Sequence, residues 1–298
     1  MTLIVRATFK MPGSRYLTMD ILRPFDPWNS PLCTCPRKYS LHPYTGCSHL
    51  CLYCYATSYV GRRSSTPKRD FIRRLERDLR RADRSIPVEL STSSDPYPPE
   101  ELRLGLTRAA LELLRSRGFK VLITTKGTGF KRDEGLYNAV MVTLTTLDKD
   151  LASKLEPGAP SPRERIEALS SINVRKGVRI DPIIPSLTDD HDELLDLLRD
   201  VRDSGAEHVV FSTYKAKPDN FSRMIKAFPE LEERWRELYY AEGVRIHGYR
   251  YLPTQLRYRL LRPLVEKAVS LGMTASVCRE GFQDLLRAPS CDGTHLLK

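Results

Sequence analysis

Ser40-Leu-His-Pro-Tyr-Thr-Gly-Cys47-Ser-His-Leu-Cys51-Leu-Tyr-Cys54 is the stretch that sets the fold expectation. A first strand is expected near 40–45, and the short loop that follows carries three thiols. Thiolates bind iron–sulfur clusters strongly, and a cluster normally takes four ligands, so three leave one iron with an open coordination position. The alternative is a zinc site with His49 or His42 as fourth ligand. The second cysteine pair with fixed spacing that such sites use is missing nearby.

Downstream of this loop, short β-branched or apolar runs alternate with helix-period segments, the signature of βα units around a parallel sheet. Strands are expected at 87–92, 119–124, 139–145, 178–184 and 207–212. Between them, Thr66-Pro67 reads as the start of a helix with Phe71, Ile72, Leu75 and Leu79 on one face and Arg73, Arg77, Arg81 and Arg84 on another. Ser161 and Glu164 form a capping box around Pro162, and Gly118 and Gly205 stand where helices should stop. The pattern suits an α/β fold: a partial (β/α)6 TIM-type barrel over residues 40–215. An N-terminal extension spans 1–39, and a mainly helical C-terminal extension spans 216–298, in which Gly272–Val277 can supply one further strand.

The 298 residues bury a sizeable core without disulfides, and the seven cysteines are unevenly placed: five between 33 and 54, two at 278 and 291. That placement reads as metal ligation. With no signal-peptide pattern and no run of about eighteen apolar residues, a soluble, cytoplasmic protein without a membrane partner is expected. The net charge of +11 favours polyanionic partners. It is concentrated, with ten Lys or Arg against four acids from Arg62 to Arg84 and a second group at Arg245, Arg250, Arg257, Arg259 and Arg262.

The Cys-x3-Cys-x2-Cys spacing of Cys47, Cys51 and Cys54 is accompanied by Tyr44-Thr-Gly-Cys47, Cys54-Tyr-Ala56, Leu90-Ser-Thr-Ser-Ser-Asp95-Pro-Tyr97 and Ile123-Thr-Thr-Lys126. Further motifs are Val142-Thr-Leu-Thr-Thr146, Leu155-Glu-Pro157 through Arg165, Pro182-Ile-Ile-Pro185 and Cys278-Arg-Glu-Gly281. Together they resemble the spore photoproduct lyase-like branch of the radical S-adenosylmethionine (SAM) superfamily. The resemblance implies a 4Fe-4S cluster on the three cysteines, with SAM at the open iron. Reductive cleavage would release a 5′-deoxyadenosyl radical that abstracts hydrogen from substrate, the electron coming from a partner such as a ferredoxin or flavodoxin. It further implies SAM contacts at Tyr53, Ser93, Asp95, Lys126, Thr143, Glu156 and Arg165, and a hydrogen-returning role for Tyr55. One departure stands out: where the lyase has a cysteine as hydrogen donor to thymine, this chain has Thr92, so the lyase's own repair reaction is not expected.

Four thiols remain: Cys33, Cys35, Cys278 and Cys291. They suffice for a second 4Fe-4S cluster or a zinc site joining the two extensions. The basic stripe at Arg73, Arg77 and Arg81, with Arg250 and Arg257 interleaved among tyrosines, favours a nucleic-acid substrate, RNA ahead of DNA. The alternatives are a peptide or small-molecule substrate, and a metal-stapled nucleic-acid-binding protein without catalysis.

Overall fold

The computed structural model describes residues 19–25, 30 and 32–298, so the expected extension at 1–39 lies partly outside the described residues. The chain builds one main sheet from β1 (Arg23–Pro24), β2 (Tyr39–Leu41), β3 (Val88–Leu90), β4 (Val121–Thr125), β5 (Ala139–Thr143), β6 (Arg175–Ile183), β7 (His208–Thr213) and β8 (Thr274–Val277). These eight strands lie side by side in chain order. All pair in parallel except the short β1, which runs antiparallel to β2. Parallel neighbours in sequence order require helical crossovers on one face, which curl the sheet into an open barrel.

Those crossovers include α1 (Phe71–Leu79), α2 (Leu106–Ser116), α3 (Lys149–Leu155), α4 (Pro162–Ser170) and α5 (His191–Asp203). The strands alternate sides as their two-residue period demands. Val121, Ile123, Val140, Val142, Val209 and Phe211 face the helix layer. The residues between them, Leu122, Met141 and Val210, face the lumen. Leu296 and Leu297 fill that lumen and pack on these side chains. The chain's last described residues thus form an apolar floor, above which Glu89, Thr124, Thr143, Arg179 and Asp181 give the lumen polar walls.

Residues 216–298 contribute more than helices. They hold α6 (Pro218–Ala227), α7 (Thr254–Ser270) and an antiparallel ribbon of Val244–Ile246 with Tyr249–Tyr251, and they also supply β8, which pairs with β7 from Thr274↔His208 to Val277↔Phe211. Position 215 therefore does not mark the end of the sheet.

The helix expected from Thr66 starts later than its sequence suggests. Thr66–Pro67 pairs antiparallel with Tyr44–Thr45, and the helix begins at Phe71 behind Asp70, whose φ is 52°. The chain before the helix is recruited to brace the cysteine loop, a tertiary demand that outweighs the local Thr-Pro start signal. Phe71, Leu75 and Leu79 are buried as the helical period requires, while Arg73, Arg77 and Arg81 are exposed. Asp78, on the buried side, accepts hydrogen bonds from the backbone N–H groups of Ile21 at 2.7 Å and Leu22 at 3.0 Å, anchoring the segment that leads into β1. At α4 the capping box is formed: Ser161 N–H donates to Glu164 Oε2 at 2.8 Å. No helix among the described residues is long and apolar enough to cross a membrane.

Candidate cluster and cofactor site

A cavity of about 930 Å³ opens at the C-terminal ends of the strands, and Cys47, Cys51 and Cys54 stand on its wall. Their loop is gripped from three sides. Cys47 N–H donates to the Arg63 carbonyl at 3.0 Å. Ser48 and Ser65 exchange two hydrogen bonds, Ser48 N–H to Ser65 Oγ at 3.0 Å and Ser65 N–H to Ser48 Oγ at 2.8 Å. On the second side, Leu52 N–H donates to the Leu155 carbonyl at 2.8 Å, and Gly158 N–H to the His49 carbonyl at 3.1 Å. From α6, Asn220 Nδ2 reaches the Tyr53 carbonyl at 2.8 Å and Arg223 Nη2 the Cys54 carbonyl at 3.0 Å. Close packing makes glycine necessary at 158, because a Cβ there would lie 2.0 Å from the Ser48 carbonyl oxygen.

Burial pushes the Cys47 thiol up to about 11, with the Asp95 charge adding to it, and lifts Cys51 well above the ordinary thiol range. Thiolates there call for a positive partner, and Lys126, on the same cavity wall, favours the ionised form of Cys51. Among the described residues, no three His, Cys, Asp or Glu side chains converge tightly enough to hold a single ion. A four-iron cluster is several ångströms across and needs its ligands further apart. Three soft donors with a nearby cation and a cavity beside them fit such a cluster.

Around the triad, Tyr53, Tyr55, Ser93, Lys126 and Thr143 also line the cavity, where the sequence expects cofactor contacts. Three others need correction. Asp95 lines the wall, but its carboxylate is already used. Oδ1 accepts from Tyr97 N–H at 2.9 Å and Thr125 Oγ1 at 2.7 Å, while Oδ2 accepts from Lys126 N–H at 2.7 Å and faces His49 Nδ1 at 3.4 Å. Most of its acceptor capacity is thus spent on holding the β4 end in place. Burial opposes its ionisation, yet His49 and these hydrogen bonds outweigh it and hold the carboxyl down at about 2.

Glu156 and Arg165 sit behind the wall, 1% exposed each. Arg165 donates to Glu156, to the Pro160 carbonyl at 2.7 Å and to the Thr143 carbonyl at 2.9 Å, and Tyr53 OH donates to Glu156. Both therefore position Tyr53 and Thr143 and do not reach the cavity. Arg257 is likewise misread as a surface phosphate contact: 2% exposed, it pairs with Glu280 Oε2 at 2.8 Å. Glu280 also pairs with Lys215 at 3.0 Å. Arg250 is half-buried, its guanidinium 4.9 Å from the Tyr240 ring.

Sequence reasoning passes over His42 as anything but a zinc ligand. Its Nε2 lies 3.0 Å from Thr92 N, 3.1 Å from Ser93 N and 3.0 Å from Ser93 Oγ, so it organises the turn after β3. A histidine one residue past a strand that ends at the cavity is the only signal that marks it.

Three of the other four thiols meet, and the fourth stands near them. Cys35 Sγ and Cys291 Sγ are 3.5 Å apart across 256 positions, Cys33 hydrogen-bonds Cys35, and Cys278 lies within electrostatic reach of Cys33 and Cys291. Cys33, Cys35 and Cys278 open onto the same cavity as the triad. Beside them Lys38 bridges Glu89 and Asp292, the latter at 2.5 Å, which ties the N-terminal segment to the C-terminal one.

An open parallel barrel with a thiol triad at the C-terminal ends of its strands defines a cluster-binding barrel enzyme. Comparison with known families agrees: the model of the radical SAM superfamily matches residues 41–198. An uncharacterised protein of Mycobacterium tuberculosis is 31% identical over 230 residues, 68% of each chain. One from Methanocaldococcus jannaschii is 29% identical over 172 residues, 51% of this chain and 62% of its own. Among solved structures, a spore photoproduct lyase mutant with bound AdoMet and dinucleoside spore photoproduct superimposes with a TM-score of 0.59. The identity is 14%, covering 84% of this chain and 79% of that one, so the likeness is one of fold. The chain belongs to the radical SAM superfamily and is a radical SAM enzyme.

Proposed function

We propose that the enzyme modifies a nucleic acid, RNA ahead of DNA, using a 4Fe-4S cluster on Cys47, Cys51 and Cys54. The observation that carries the substrate class is the exposure of Arg73, Arg77 and Arg81 on and just after α1, a helix whose Arg74, with Lys68 just before it, borders the cavity. A polyanion drawn to that stripe is brought to the cavity mouth. The solved lyase with bound dinucleoside spore photoproduct has the same fold, which is consistent with a nucleic-acid substrate.

When bound, the cluster supplies the electron that cleaves SAM and yields the 5′-deoxyadenosyl radical. The chain's own residues do the rest. Lys126, its ammonium 5.5 Å from the Tyr53 ring, offers a cation to the SAM carboxylate. Ser93, held by His42, offers its hydroxyl to the amino group, and Thr143 offers a hydroxyl to the ribose. Tyr55 borders the cavity next to Cys54, where its phenol can return a hydrogen atom. Burial keeps that phenol protonated by raising it well above the ordinary tyrosine range, against the opposing pull of Arg279. Cys33, Cys35, Cys278 and Cys291 would hold a second metal: a 4Fe-4S cluster, whose ligands stand further apart than those of one ion, or a zinc ion that would draw the thiols closer than they stand. A reducing partner such as a ferredoxin or flavodoxin delivers the electron, in a cytoplasmic setting.

Anaerobically reconstituted protein should cleave SAM to 5′-deoxyadenosine when strongly reduced, and the triple replacement of Cys47, Cys51 and Cys54 by Ala should abolish this. Ready cleavage by that variant would overturn the assignment of the cluster. Mass spectrometry of total RNA nucleosides, with and without the gene, identifies the product. An unchanged RNA profile, together with no binding of RNA or DNA at low salt, would return the substrate to a peptide or small molecule.

A further inference from the structure

Arg279 follows β8, between two residues that are fixed. Cys278 N–H donates to the Phe211 carbonyl at 2.9 Å, and the Glu280 carboxylate is held by Lys215, Arg257, Ser212 and Thr213. Arg279 itself has φ 58°, a left-handed conformation that a non-glycine residue adopts only when its surroundings impose it. This turn sets the side chain on the cavity wall. There it is 8% exposed, and its Nε is buried with no hydrogen-bond partner.

Most other cations around the lumen have carboxylates: Lys38 has Glu89 and Asp292, Arg179 has Asp181, and Lys215 and Arg257 share Glu280, whereas Lys126 faces the thiols. Arg279 is surrounded by aromatic rings instead, with its guanidinium 4.5 Å from the Tyr249 ring and 5.7 Å from the Tyr55 ring. No described carboxylate pairs with it. A guanidinium on a cavity wall, with no carboxylate partner and an Nε–H left without an acceptor, is matched to an anionic oxygen group arriving from outside. SAM's carboxylate and a substrate phosphate are the two candidates. Lys126 already stands within electrostatic reach of Cys51 and Cys54, where SAM's carboxylate belongs. Arg279 lies on the side of Tyr249, which also carries Lys217 at 4.5 Å from its ring and belongs to the ribbon bearing exposed Arg245. Cations thus run from the outer ribbon inward to Arg279.

We propose that Arg279 binds a backbone phosphate of the nucleic-acid substrate next to the nucleotide that reacts beside Tyr55. The inference rests on the nucleic-acid reading above. A guanidinium carries five N–H donors, so the hydrogen bond that Arg279 makes to Tyr249 leaves others for two parallel hydrogen bonds to one phosphate.

The test uses the reconstituted enzyme and short single-stranded RNAs in which one linkage at a time is a neutral methylphosphonate, with affinity read by fluorescence anisotropy. For the native enzyme, one linkage should weaken binding about tenfold to a hundredfold when neutralised. Arg279→Gln should lose a similar factor with unmodified RNA and show no further loss at that linkage. Arg279→Lys, which keeps the charge without the fork, should fall between. Thermal unfolding and iron content establish that the variants are folded and loaded. The same further loss in Arg279→Gln as in the native enzyme would overturn the proposal. So would weaker SAM binding by equilibrium dialysis with RNA binding unaltered, which would reassign the guanidinium to SAM. If native enzyme binds no RNA or DNA at low salt and instead takes an acidic peptide, the nucleic-acid reading fails with it.

Discussion

His42 faces four backbone or hydroxyl partners with one nitrogen, and two of them are N–H donors, so that nitrogen must accept. A protonated ring would set donor against donor. Burial, reinforced by Lys68 and Arg23, accordingly pushes its pKa down from 6.5 to about 3. The native state favours the neutral ring, so the stabilising contribution is complete above about pH 6.5 and is lost as pH falls toward 3. Between those limits the loss reaches at most roughly 1.4 kcal/mol per pH unit, less where cavity water relieves the ring. His42→Gln, whose side-chain oxygen accepts without titrating, should show a flatter fall of melting temperature with acid than the native protein; parallel curves would remove His42 from this role. Gly158 is the other decisive single position. Gly158→Ala sets a methyl 2.0 Å from the Ser48 carbonyl and must push the cysteine loop off its dock. Destabilisation of about 2 kcal/mol or more is expected, with iron per chain after reconstitution dropping further than the melting temperature alone accounts for. Full iron loading would show that the loop adapts.

Among elements, α1 shows both what the sequence discloses and where it misleads. The exposure of Arg73, Arg77 and Arg81 agrees with helical periodicity. Changing all three to Ser should flatten the salt dependence of RNA binding by about two or three phosphate contacts, each worth roughly 0.7 to 0.9 in the log–log slope. An unaltered slope would make the stripe an ordinary solvated face. The start of α1 was illegible because Thr66–Pro67 answers to a partner twenty-three positions earlier in its register, Tyr44↔Pro67, which no local signal announces. The barrel strands were legible, since buried parallel strands are short apolar runs between turn signals, and β4 through β7 fall on the expected segments. Site residues divided along a different line. The thiols, Ser93, Lys126 and Thr143 stand at strand ends or on the loop beside the cavity, where a motif maps to position directly. Asp95, Glu156, Arg165 and Arg257 turn on which way a charged side chain points, and that depends on neighbours such as His49 and Glu280 from remote segments. Arg279 escaped notice because its left-handed backbone and absent counter-ion exist only in the folded chain.

For the whole molecule, the segment around Cys33 and Cys35 lies against the segment around Cys291. Asp292 on Lys38 and Cys291 beside Cys35 fasten the C-terminal segment to the strand β2 region, and Leu296 and Leu297 plug the lumen below. A shared metal should therefore fail as a unit. Replacing any one of Cys33, Cys35, Cys278 and Cys291 by Ser should expose both terminal segments to limited proteolysis while the triad cluster persists. Metal analysis separates the forms: about eight irons per chain for two clusters, or about four irons with one zinc for a structural ion. About four irons and no zinc in anaerobically purified protein would mean that the thiols are neighbours without a metal.

The distance along the chain between Cys35 and Cys291 also imposes an order on biosynthesis. At roughly 5 to 20 residues per second on the ribosome, the 256 positions between them take about ten to fifty seconds to translate. Throughout that interval Cys33 and Cys35 have emerged without the partners they meet in the finished barrel, whereas Cys47, Cys51 and Cys54 arrive together within one short loop. The triad is thus complete early, whereas Cys35 can meet Cys291 only after that cysteine has left the exit tunnel. A metal shared by these four thiols, as proposed above, would enter after the triad is complete, and until then Cys33 and Cys35 depend on the cell's reducing agents to keep them from oxidation.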